Sequence, residues 1–200
     1  MSEPTIRRAT VADIPELDRL LHQVLEVHHA GRPDLFKGGV TKYTAAELAG
    51  LIASDETPIF VAVAGNPPTD EAADSFVAVE PTNGGDACAE RAGSGSNESD
   101  PTIPAGAEPV LGYAFCQFQR HPNDNILTDI TTLYVDDICV DEMARGRHVG
   151  SALYHHALAF AKESGCHNLT LNVWSCNPGA QAFYERMGLK PYKVGMEQIL

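Results

Sequence analysis

Residues 131–161 read TTLYVDDICVDEMARGRHVGSALYHHALAFA, and this stretch decides the fold. Up to Val140 it is rich in β-branched and aromatic residues, as a strand is. Strict alternation puts Tyr134, Asp136, Ile138 and Val140 on one face and Val135, Asp137 and Cys139 on the other. From Val149 the period changes, with Val149, Leu153, His156 or Ala157, and Phe160 recurring at helical spacing. Between strand and helix lies Arg145-Gly146-Arg147-His148-Val149-Gly150-Ser151, which sets free backbone N–H groups and two guanidinium groups at the helix's positive end. That combination suits an anion. It is neither of two common phosphate binders: no Lys-Ser/Thr pair follows the last glycine, and three glycines at dinucleotide-fold offsets are absent.

The whole chain sets wider bounds. Two hundred residues suit one domain with a core and extra loops. No apolar run is long enough to span a bilayer, and MSEPTIRRAT lacks the apolar stretch of a signal peptide, so a cytoplasmic protein is expected. Five cysteines, odd in number and without paired metal-ligand spacing, favour reduced thiols over disulfides or zinc. The net charge of -13 argues against nucleic acid as a partner. From Gly65 to Glu108 nine acidic residues face one basic residue, Arg91, so this segment carries -8 of the total. An acidic active site therefore has to be argued residue by residue.

Taken in order, Thr5 to Arg8 reads as a first strand, and Thr10 with Asp13 as a capping box. The helix they open carries Ile14, Leu17, Leu21, Val24, Leu25 and His28 on one side and ends near Gly31, before Pro33. After a loop from Arg32 to Lys42, Thr44 and Glu47 form a second capping box, and Ile59 to Ala64 reads as a buried strand. Residues 66–109 are rich in Gly, Pro, Ser and acids, with too few clustered apolar residues to offset the entropy of ordering them. They read as a mobile surface insertion in a hairpin, with Phe76–Val79 the one candidate strand. The strand signal resumes at Val110 to Gln119 and again at Leu169 to Trp174. Asn177-Pro178 then supplies a cap and a first-turn proline for a helix through Ala180, Phe183, Tyr184 and Met187. Tyr192 to Leu200 reads as a last strand closing the sheet.

Arg145 and Gly150-Ser151-Ala152-Leu153 resemble motif A of the GCN5-related N-acetyltransferase (GNAT) family, Arg/Gln-x-x-Gly-x-Gly/Ala, with His148 where the family usually has glycine. Asn177-Pro178-Gly179-Ala180-Gln181-Ala182-Phe183-Tyr184 through Gly188-Leu189 resembles motif B, and the two together cover about residues 131–190. The resemblance implies an α/β (α+β) fold: a mixed, mostly antiparallel sheet with helices on both faces and splayed central strands. It implies acetyl-CoA as acetyl donor. The pyrophosphate would be held by Arg145, Gly146, Arg147, His148, Val149, Gly150 and Ser151, and the pantetheine arm would pair with backbone at Ile138 to Val140, with Asn177 and Tyr184 completing the coenzyme site. The β-carbon of His148 crowds a phosphate or strains the backbone there; alternatively, its imidazole adds a donor to the site. Homodimers are common in the family.

Acetyl transfer to an amine needs a neutral amine, a stabilised oxyanion and a proton for the departing thiolate. The resemblance assigns the oxyanion to the Ile138 N–H and the proton to Tyr184. Asn172 stands where some N-terminal acetylating members carry a glutamate, and it cannot accept a proton. Asp136 and Asp137 match the acidic pair of polyamine acetyltransferases. Since alternation turns them to opposite sides, Asp136 is chosen as base, acting through water, and Asp137 as a binder of a cationic substrate; the alternative is that both pair with surface bases. The resemblance implies that His28, at the end of the first helix, lies on the substrate side. His155-His156 has no acidic or cysteine partner at ligand spacing, so no metal is expected. The expected function is N-acetylation of a primary amine of a small, cationic molecule. Peptide or protein N-terminal acetylation and a non-catalytic acyl-CoA-binding module are the alternatives.

Overall fold

The computed structural model describes residues 3–65 and 109–200. Among these residues five strands lie side by side in chain order: β1 (Thr5–Arg8), β2 (Ile59–Val63), β3 (Val110–Arg120), β4 (Thr131–Val140) and β5 (Asn168–Leu171). Neighbours are antiparallel from β1 to β4, whereas β4 and β5 are parallel. A parallel pair needs a long crossover, and helix α3 (Val149–Glu163) supplies it. The expected mixed, mostly antiparallel sheet is therefore present. The strands β2 and β3, which flank the acidic segment, are direct antiparallel neighbours. The strand expected at Phe76–Val79 and the acidic segment itself lie outside the described residues.

Two apolar layers hold the sheet between helices. Helices α1 (Ile14–Gly31) and α2 (Ala45–Ala53) bury Leu17, Leu20, Leu21 and Leu48 against Ile59, Val61, Tyr113 and Phe115 on one face. On the other face α3 buries Val149, Leu153 and Ala157 against Phe60, Ala114, Leu133 and Val135. Both capping boxes form. Asp13 accepts from the Thr10 N–H at 2.7 Å, and Glu47 from the Thr44 N–H at 2.7 Å. Helix α4 (Pro178–Arg186) begins at the Asn177 cap, whose side chain accepts from the Ala180 N–H. Among the described residues no helix is long and apolar enough to cross a membrane.

Three expectations need correction. The last expected strand does not form: Tyr192 to Leu200 has no secondary structure, and Tyr192, Val194, Met196, Ile199 and Leu200 are exposed. The strand expected at Leu169 to Trp174 ends at Leu171. Strict alternation along β4 also fails, because Phe115 pairs with Asp137 while Cys116 pairs with Val135, leaving Asp136 as an extra residue. This β-bulge shifts the parity of the strand. Leu133 and Val135 face α3, but Cys139 packs with the α1 layer and Ile138 and Val140 with the α3 layer.

Candidate active site

The bulge sits where β4 loses its neighbour. Rungs between β4 and β5 run only from Thr132–Asn168 to Val135–Leu171. Beyond them, among the described residues, β4 continues alone on that edge. The Asp141 N–H donates back to Leu111 of β3 at 2.9 Å. Antiparallel alternation therefore turns the N–H groups of Ile138 and Val140 away from β3, toward the open side. An extended ligand with amide groups fits that edge as a further strand would.

Past Val140 the chain makes a short helical turn at Glu142–Ala144 and then the Arg145–His148 turn into α3. His148 takes the left-handed conformation, φ 59° and ψ 12°, and Gly146 is also left-handed at φ 72°. The strained backbone angle foreseen for a residue in place of glycine is thus present. Within α3 the first bond runs from the Ala152 N–H to the His148 carbonyl, and among the described residues no side chain caps the helix. The N–H groups of Val149, Gly150 and Ser151 have no carbonyl within the helix to reach, so they suit an anion. Arg145 and Arg147 are exposed beside them. A β-carbon on Gly150 would stand 3.4 Å from Val140 Cγ2 and 3.6 Å from Phe183 Cζ, so the helix start is packed against both β4 and α4. The residues present fit a pyrophosphate followed by an extended amide-bearing arm.

At the other end of the open edge the acidic pair has two different environments. Lys42 Nζ lies 2.7 Å from Asp136 Oδ2. The Tyr113 hydroxyl donates to Asp137 at 2.8 Å. Burial raises the proton affinity of Asp137 above the usual carboxylate range, against the Tyr113 hydrogen bond and the positive charges of Lys42 and His28. Burial likewise pushes the Tyr113 and Tyr184 hydroxyls up, each helped by the negative charge of Asp137. Tyr184, on α4, lies with its ring tilted 59° to that of Tyr154, centroids 6.5 Å apart. Because the bulge breaks alternation, the two carboxylates do not face opposite sides: both feel Lys42. His28, whose charge reaches Asp137, packs on Phe36 at 5.0 Å, and Phe36 on Trp174 at 5.2 Å.

Other candidates are engaged elsewhere. The Asn177 side-chain oxygen caps α4, accepting from the Ala180 N–H at 3.1 Å. Asn172 donates to the Tyr134 hydroxyl at 3.0 Å. His156 packs its ring on Phe60 at 4.6 Å, and burial lowers its proton affinity. Tyr113 and Lys42 were not singled out from sequence. The buried phenol of Tyr113 needs a hydrogen-bond partner, but only the β3–β4 register reveals which one.

A family model described as the Acetyltransferase (GNAT) family matches residues 87–189, half of the chain. The chain belongs to that family. Among curated relatives of this GNAT chain, a protein of Oryza sativa subsp. japonica named "Probable glucosamine 6-phosphate N-acetyltransferase 2" is 36% identical over 63 residues, 32% of this chain. The match spans about a third, 36%, of that relative's own length. Among solved structures, a tetramutant protein from Bacillus halodurans superposes with a TM-score of 0.73 at 22% identity, over 98% of this chain and 99% of that one. An aminoglycoside acetyltransferase from an uncultured soil metagenomic sample, in complex with sisomicin, gives 0.59 at 14% identity, over 98% and 96%. These two likenesses show the GNAT fold.

Proposed function

We propose that the chain, as one acetyltransferase domain over residues 1–200, transfers acetyl from acetyl-CoA to a primary amine of a small molecule. The observation that carries this reading is the open edge of β4, bounded by the acidic pair before it and the α3 turn after it. Arg145 and the N–H groups of Val149, Gly150 and Ser151 hold the pyrophosphate, with Gly146, Arg147 and His148 shaping the turn. Val140 and Ile138 offer backbone to the arm, and the Ile138 N–H donates to the thioester oxygen. Tyr184, whose hydroxyl is held protonated by burial, gives the proton to the departing sulfur. The resemblance to polyamine acetyltransferases, read with strict alternation, implies Asp136 as base and Asp137 as substrate binder. The ion pair on Asp136 and the raised proton affinity of Asp137 favour the exchange of these roles. Asp137, steadied by Tyr113, accepts the amine's proton. His28 lines the acceptor side. The printed name of the rice relative, "Probable glucosamine 6-phosphate N-acetyltransferase 2", supports a small-molecule acceptor.

The test is release of free thiol from acetyl-CoA over a panel of amino sugars, amino acids, amines and short peptides, beside calorimetric titration of the coenzyme. Tyr184→Phe is expected to lower kcat by about a hundredfold or more while leaving coenzyme Kd nearly unchanged. Arg145→Ala is expected chiefly to weaken coenzyme binding. Coenzyme binding without release from any amine would replace this reading with a non-catalytic binding module.

A further inference from the structure

The loop between α1 and α2 is fixed on both sides of one lysine. The Thr41 hydroxyl donates to Asp18 at 2.8 Å and approaches the Tyr43 carbonyl at 3.0 Å, and the Gly39 N–H donates to Glu26 at 3.2 Å. The Tyr43 ring stacks on Phe115 of β3 at 6.0 Å and 16°. Between these anchors Lys42 points at the bulge, its ammonium 2.7 Å from Asp136 and 5.2 Å from the Tyr43 ring centre. Burial would lower the proton affinity of Lys42, but the hydrogen bond and charge of Asp136, with the charge of Asp137 behind it, outweigh burial and hold the ammonium charged. A half-exposed ion pair of this kind adds little to stability, so its consequence lies in the charge of the site.

In sequence, two adjacent carboxylates look like a trap for a polycation. In the fold one of them already has a cation. The other holds its proton more tightly than an ordinary carboxylate and takes a hydrogen bond from Tyr113. An acceptor's reacting amine must lose its proton to attack, and Asp137 serves that step. A second ammonium on the same molecule would stay charged, and it would meet Lys42 where it needs Asp136.

We propose that Lys42 is a specificity-determining residue: a resident ammonium that occupies the second cation position beside Asp136, so that the enzyme takes acceptors with one amino group and rejects polyamines. This rests on the acetyltransferase reading above. The structure thereby narrows the cationic acceptor expected from sequence to one whose only positive charge is the reacting amine.

Matched pairs of amines test it. Thiol release is measured for hexylamine and hexamethylenediamine, and for propylamine and spermidine, compared per amino group. In the wild-type protein kcat/KM is expected to favour each monoamine by roughly tenfold or more, mainly through KM. In Lys42→Met the preference falls to near one or inverts, because Asp136 is released for the second ammonium. In Lys42→Arg the preference returns with the charge. A lysine that only braces the loop would lose activity equally toward both members of a pair, and an unchanged ratio in Lys42→Met overturns the proposal. A wild-type enzyme that uses diamines as well as monoamines overturns it too, while leaving acetyl transfer intact. No thiol release from any amine, by wild type or variants, overturns both readings together.

Discussion

His148 is a left-handed residue in the turn that leads into α3, at the position the motif usually gives to glycine. An L-residue there costs about 1–2 kcal/mol relative to its preferred conformations. His148→Gly removes that strain, with part of the gain offset by the extra freedom of glycine in the unfolded chain. The expected net gain is about 1 kcal/mol, or roughly 2–4 °C in Tm for a chain of this size. Coenzyme affinity, measured calorimetrically, separates the two roles left open for the imidazole: it holds steady if strain is the whole effect and drops if the ring contacts phosphate. Asp137 gives a second residue-scale prediction. Its folded pKa lies above the ordinary 3.8, so the fold favours its protonated form. The stability it contributes is complete below that ordinary value and is lost as pH rises through the folded one. Asp137→Asn lacks this loss while still accepting from Tyr113. The stability of wild type relative to Asp137→Asn, measured by urea unfolding, is therefore expected to fall as pH is raised from about 4 to 7.

At the scale of elements, the β3–β4 pair carries the site, and Gly112 marks how closely the two strands meet. A β-carbon there would lie 2.7 Å from the Cys139 carbonyl oxygen, which is backbone and cannot turn aside. Gly112→Ala is expected to cost about 1–3 kcal/mol. It should also lower kcat, because Cys139 lies next to the proposed oxyanion donor; calorimetric unfolding and turnover measure the two losses. Most elements could be read from the sequence because their signals are local. Thr10 with Asp13 and Thr44 with Glu47 announce helix starts within four residues, and Asn177-Pro178 does the same for α4. The bulge at Asp136 has no local signal, since it exists only as a mismatch in count between two paired strands. From sequence, the face of each aspartate was therefore assigned by an alternation that β4 does not keep. Lys42 escaped for the same reason: its partner is 94 residues away, and only folding brings the two together. The tail failed differently. Tyr192, Val194 and Met196 alternate as a strand's residues do, but alternation supplies no neighbour to pair with, and these side chains stay exposed.

Across the described residues, two apolar layers enclose a sheet in which β4 runs on past the end of its neighbour β5. Four rungs join β4 to β5, and Asp136 to Val140 have none on that side. On the proposed function, the coenzyme arm is the missing partner, and the sheet is finished only when the acetyl donor is present. Folding and supply are then linked by mass action. A ligand at about a hundred times its Kd adds about 2.7 kcal/mol of stability, so Tm should climb with coenzyme concentration in a thermal-shift titration. Amides of Ile138 and Val140 should change from fast to slow hydrogen exchange over the same range. On that reading the gap would couple the protein's lifetime to donor supply: starved of donor, the chain is expected to open more often and meet proteases sooner; well supplied, to persist.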